Sequence, residues 1–93
     1  MDRNKTTVLK ALGFLVRQHR ENLGISQEEL GTRSNLDRTY ISGIERGVRN
    51  PSLTALVNLA DGMKINLSSL LEGLESEITS QTQNGQDCNS RST

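Results

Sequence analysis

The chain has 93 residues, a formal net charge of zero, one cysteine, one histidine and no tryptophan. That length holds a single domain whose core lies near the lower limit for independent folding, and the lone Cys88 excludes an internal disulfide scaffold and fits a reducing compartment. No apolar run approaches the roughly 20 residues of a membrane-spanning helix and no signal-peptide core is present, so no membrane partner is expected and the expected location is the cytoplasm.

The elements follow one another as helices. From about Thr6 to Asn22, Leu9, Leu12, Val16 and Leu23 recur at helical offsets, with Val8 and Leu15 beside them, and Gly24 supplies the left-handed residue that ends a helix. Ser26-Gln27-Glu28-Glu29 has the form of a capping box, in which the serine hydroxyl accepts from the Glu29 N–H and the glutamate reaches back to the N–H of Ser26. A short second helix, Gln27 to Ser34, follows with Leu30 as its inward anchor, and Asn35 suits the positive φ of a turn. Asp37 caps a third helix of about Arg38 to Arg46, with Ile41 and Ile44 inward and Gly47 as its stop. Asn50-Pro51 breaks the chain. Ser52 caps a fourth helix carrying Leu53, Leu56, Val57, Ala60 and Met63, and Asn66 a fifth carrying Leu67, Leu70, Leu71 and Leu74.

The fold class expected is therefore all-α, a compact five-helix bundle over residues 1–78. Residues 79–93 hold no aliphatic anchor able to offset their ordering entropy and are expected to form a disordered polar tail.

The zero net charge conceals a segregated distribution. Met1 to Arg20 carries five basic residues against Asp2, and Arg33 to Arg49 four arginines against Asp37 and Glu45; from Asn50 onward Lys64 and Arg91 face five acids. Such a pattern permits a basic face with an acidic far side, although ion pairs along solvated helices would give the same arithmetic. Two short helices joined by a tight turn, the second opening on side chains free to project, have the geometry of a helix-turn-helix. Gly31 gives the close approach such a pair needs, at a cost of about 1 kcal/mol relative to alanine in a helix.

The stretch ISQEELGTRSNLDRTYISGIERGVRNPSLTALVNLA resembles the lambda repressor/Cro-like (XRE-type) helix-turn-helix family, and with its flanking helices the resemblance spans about Leu9 to Leu74. Its nearest flavour is that of compact bacterial and phage regulators, including controller proteins of restriction-modification systems. The resemblance implies a five-helix DNA-binding domain of the lambda repressor type that reads double-stranded DNA as a transcriptional regulator, repressor or activator.

Geometry and resemblance together assign residues to that task. Arg38, Thr39, Ser42 and Gly43 are expected on the outward, base-contacting face of the third helix. Arg38 could pair bidentately with guanine or contact a phosphate instead. Gly43 departs from the longer polar reader common among related proteins, which puts one base contact in doubt. Gln27, Tyr40, Arg46, Arg49 and Asn50 are expected at phosphates, with core packing an equal alternative for Tyr40. The resemblance also implies an ion pair between Arg20 and Glu45 that ties the first helix to the third.

One recognition helix covers too few base pairs to be selective, so a homodimer on a (pseudo)palindromic operator is expected. Leu67, Leu71, Leu74 and Ile78 are its interface residues, unless they only close the monomer core. His19 has no partner at metal-ligand spacing, and no catalytic constellation is present; no metal, cofactor, small-molecule ligand or enzymatic activity is expected. The competing reading is a helical protein-interaction or antitoxin-like module, which would lack the steep salt dependence of groove binding.

Overall fold

The computed structural model describes residues 4–84, and these form helices only: α1 (Lys5–Leu23), α2 (Gln27–Ser34), α3 (Arg38–Glu45), α4 (Leu53–Gly62), α5 (Leu67–Leu71) and α6 (Leu74–Asn84). The first four boundaries lie where side-chain caps and left-handed residues place them. Asn4 Oδ1 accepts from the Thr7 N–H at 2.8 Å, Ser26 Oγ from Glu29 N–H at 3.0 Å and Ser52 Oγ from Ala55 N–H at 3.1 Å. Gly24 ends α1 at φ 72° and Asn35 ends α2 at φ 58°, so each supplies the positive φ expected of it.

Two caps differ from expectation. The Glu29 carboxylate goes to Arg33 Nε, 3.0 Å away at i,i+4 spacing, so the capping box is made from its serine half. Asn66 starts α5 without a side-chain cap bond.

The fifth helical segment arrives in two pieces. Glu72 is extended and Gly73 takes φ 86°, which separates α5 from α6. A break of this kind rephases every residue after it, so Leu74 and Ile78 do not continue the stripe of Leu67 and Leu71. Helix α6 folds back against α1, and Ile78 is buried at 2% exposure. Helix α6 also runs through Asn84, beyond the boundary expected after residue 78. Extending an existing helix fixes one residue per hydrogen bond, far less costly than starting one, and so needs no aliphatic anchor of its own. The remainder of the expected tail, with Cys88, lies outside the described residues.

Leu12 and Val16 of α1, Leu30 of α2, Ile41 and Ile44 of α3, Leu59, Ala60 and Met63 at α4 and Leu70 of α5 make one core. Leu23, included in the α1 stripe by spacing, is half exposed at the last position of its helix. Helix α3 is held between α1 on one side and α2 on the other. The α1 contact is close because Gly13 sits at the crossing: a methyl group there would collide with the Ile44 carbonyl oxygen and come within 2.6 Å of that of Glu45. Alanine gains about 1 kcal/mol in helix propensity, but overpacking against backbone costs about 1–3 kcal/mol. We expect Gly13→Ala to lose up to about 2 kcal/mol net, read as a lower urea midpoint. A raised midpoint would mean that α3 does not rest on α1 this closely.

Candidate nucleic-acid interface

The turn between α2 and α3 fixes how the second motif helix is presented. The Leu36 N–H donates to Gly31 O at 2.9 Å and the Asn35 N–H to Thr32 O at 3.4 Å, a closed turn with Asn35 in the left-handed region. Gly31 is required by this turn, since a Cβ there would lie 2.6 Å from the Leu36 carbonyl oxygen. Asp37 then opens α3. Its Oδ2 accepts from the Thr39 N–H at 2.9 Å and also from the Thr39 hydroxyl.

Those two bonds, with a smaller contribution from the neighbouring Arg38 charge, hold the Asp37 carboxyl below the usual carboxylate range. A folded-state value lower than the unfolded one means that the cap is fully present above the ordinary carboxylate pKa and is lost as pH falls through the lowered value. In a carboxyl-detected NMR titration Asp37 should therefore titrate below an unstructured aspartate, with the Thr39 amide shift following the same midpoint. A midpoint at the ordinary value would show that the cap does not persist in solution.

Ile41 and Ile44 are fully buried, which leaves the opposite edge of α3 to solvent. Arg38 and Thr39 are exposed on its first turn. Among the described residues Arg38 makes no ion pair, so its guanidinium is available to a ligand. Ser42, half-buried one turn later, accepts from Arg46 Nε at 3.3 Å.

Gly43, one turn after Thr39, is covered. It is buried, and a Cβ on it would stand 3.2 Å from Arg49 Cβ and 3.5 Å from Arg49 Nε. The side chain of Arg49, coming back from the loop after the helix, covers it. A base contact at Gly43 would require the Arg49 side chain to move aside.

The anchor of α3 is a network. Arg20 Nε and Nη2 donate to the two carboxylate oxygens of Glu45 at 2.7 and 3.0 Å, and Arg20 Nη1 donates to the Ile25 carbonyl at 2.9 Å. The hydrogen bond from Glu45 raises the guanidinium pKa above its ordinary value, against the opposing effect of burial. Gln27 Nε2 donates to Glu45 Oε1 at 3.0 Å. The amide expected at a phosphate is thus tied to the structural pair through one Nε2 hydrogen, and Gln27 retains for a ligand the second one and its position at the first turn of α2. The carboxylates of Glu28 and Glu29 share that turn.

Arg46, Arg49 and Asn50 are all exposed, at the end of α3 and in the loop behind it. Tyr40 is half-buried against the core, and the Arg49 guanidinium carbon lies 5.2 Å from its ring centroid. Spacing alone missed this pairing, together with the Gln27–Glu45 bond and the tight seat of Gly13. A glycine on the buried stripe of a long helix was the available signal for the last.

Residues 16–70 match the helix-turn-helix family model. The chain belongs to that family, of the lambda repressor/Cro-like (XRE) type. The helix-turn-helix chain is similar to control protein C.MunI of Mycoplasma sp, with 41% identity over 63 residues that cover 68% of this chain and 85% of the relative. It is similar also to the restriction-modification controller protein C.AhdI from Aeromonas hydrophila, at 42% identity and a TM-score of 0.66 over 67% of this chain and 94% of that one. C.Esp1396I bound to a 19 base pair DNA duplex superposes with a TM-score of 0.70 at 39% identity, over 76% of this chain and 95% of that one.

Placed in this family, α2 and α3 are the two motif helices, and the all-helical bundle is the fold of the solved controller proteins. Leu67, Leu71 and Leu74 are half-buried and pack on the core with part of each side chain outside. Ile78, closed against α1, is withdrawn from the expected dimer interface. Two residues not assigned to it from spacing, Leu53 and Val57 on α4, are exposed at 68% and 41% and lie one turn apart on a single face.

Proposed function

We propose that the protein is a sequence-specific, double-stranded-DNA-binding transcriptional regulator that works as a homodimer, with α3 in the major groove. The observation that carries this reading is the first turn of α3. There Arg38, with no ion pair among the described residues, and an exposed Thr39 stand on a helix locked from behind by the Arg20–Glu45 pair. The likeness to C.Esp1396I supports it, since that controller protein has been solved as a tetramer with its natural 35 base-pair operator.

Arg38, Thr39 and Ser42 read base edges in this proposal. The Thr39 hydroxyl hydrogen is already given to Asp37, so Thr39 offers its methyl group, for which a thymine methyl is the matching partner, and a hydroxyl oxygen that can only accept. Arg46, Arg49 and Asn50 hold phosphates, together with the backbone at Gln27. A second copy covers the exposed Leu53 and Val57 of α4 and the half-buried Leu67 and Leu71 of the adjoining α5, with Leu74 beyond the break, because apolar surface is better buried than solvated. The protein acts where cytoplasmic DNA is, and no cofactor or substrate chemistry enters the reading.

Selection of bound duplexes from a randomised pool tests it. The expected product is a pair of inverted half-sites centred roughly one helical turn apart, about 34 Å, or a multiple of that. Recovery of unselected sequence would end the proposal. A species that sediments as a monomer both free and on DNA would remove the dimer from it.

A further inference from the structure

The end of α3 is closed in an unusual way. Gly47 takes φ 76°, its N–H donates to Ile44 O at 3.0 Å, and the Val48 N–H donates to Gly43 O at 3.0 Å. In a helix end of this type the residue after the left-handed one commonly rests its side chain on the residue that accepts its N–H. Here that residue is Gly43, which has no side chain to rest on, and Val48 stays 66% exposed.

The strip left bare is taken by Arg49. Its own N–H also reaches Gly43 O, at 3.2 Å, and its stem lies over the Gly43 backbone. From there its guanidinium reaches the ring of Tyr40, within the range of a cation–π contact. Tyr40 and Gly43 are three apart on α3 and so share one face, and Tyr40 is itself fixed by its packing on the core.

We propose that Tyr40 and Gly43 are positioning residues that hold Arg49 in one orientation before DNA arrives, so that Tyr40 acts on the phosphate backbone through Arg49 and not through its own hydroxyl. An exposed arginine otherwise loses many rotamers when it binds a phosphate; one already laid along the helix loses fewer. The proposal rests on the DNA-binding reading above.

The test is a double-mutant cycle on the selected operator duplex, with a measurement on the free protein beside it. Tyr40→Leu weakens binding about two- to fivefold per bound protomer, the size of an exposed cation–π contact. In an Arg49→Ala background the same change costs nothing further, and Tyr40→Phe restores the coupling that leucine loses. Arg49→Ala also flattens the slope of log affinity against log salt by about 0.9, one phosphate contact. In the free protein the Arg49 side-chain methylene protons show upfield ring-current shifts that Tyr40→Leu and Gly43→Ala each abolish, and Gly43→Ala serves alone if the leucine variant does not fold. Equal losses from Tyr40→Leu in the two backgrounds, or no ring-current shift, would overturn the proposal while wild-type binding stands. No duplex binding by the wild type would fell the functional reading, and this one with it.

Discussion

Glu45→Ala should lower the unfolding free energy by about 3 kcal/mol, the lower end of what breaking a buried ion pair costs. The lower end applies because Arg20 keeps 12% of its side-chain surface exposed, whereas Glu45 keeps 4%. What the substitution leaves behind decides the size of the effect. Arg20 would lose two charge-assisted bonds and keep its bond to the Ile25 carbonyl, and Gln27 would lose its acceptor. A loss near 3 kcal/mol is a large share of the roughly 5–15 kcal/mol that hold a small domain together. Replacing both partners, Arg20→Met with Glu45→Met, should cost much less, because no charge is left unpaired. Urea melts of the three variants give the comparison. Base preference at the operator should be unaltered wherever a variant remains folded, since neither residue lies at the outward edge of α3. An unchanged midpoint for Glu45→Ala would show that the pair does not hold α3.

Local rules were enough for the helix ends in the first half of the chain. Gly24, Ser26, Asn35, Asp37 and Ser52 each supply a conformation or an oxygen that their position demands, whatever the rest of the chain does. Periodicity failed where the chain had a second choice. A repeat of leucines through Leu67, Leu71, Leu74 and Ile78 fits one helix, and nothing within it announces that Gly73 will take a positive φ and turn Ile78 onto α1. At the interface, spacing placed Arg38 and Thr39 on the outer edge but did not show that Gly43 beside them is covered. Its burial is made by Arg49, six residues later, across a turn that brings the loop back over the helix. The occupation of Gln27 was hidden for the same reason, since its partner lies 18 positions away on another helix. Contacts of that range come from tertiary packing, which no local pattern carries.

Arg38→Ala should remove about 1–3 kcal/mol of discrimination per half-site between the selected operator and a duplex altered at the matching base, with a smaller loss on unrelated DNA. Two roles were open for this side chain, and they predict different signatures. A bidentate pair to the O6 and N7 of guanine makes the variant indifferent to that base while its salt dependence persists. A phosphate contact weakens all sequences alike and reduces the slope of log affinity against log salt by about 0.9. The first is favoured by position. Arg38 is the first residue of α3, the part of a recognition helix that enters deepest, and its guanidinium makes no ion pair among the described residues that would have to be given up. Arg46 and Arg49 stand at the far end of the helix and beyond it, which in the proposed docking assigns them to phosphates. Stability should hardly change, because Arg38 is exposed and the cap at Asp37 is built on Thr39. Lysine at the position keeps the charge and loses the planar fork. Arg38→Lys should therefore retain binding to unrelated DNA while losing most of the preference for guanine. Full preference in the lysine variant would assign Arg38 to the backbone and leave Thr39 and Ser42 to carry the sequence.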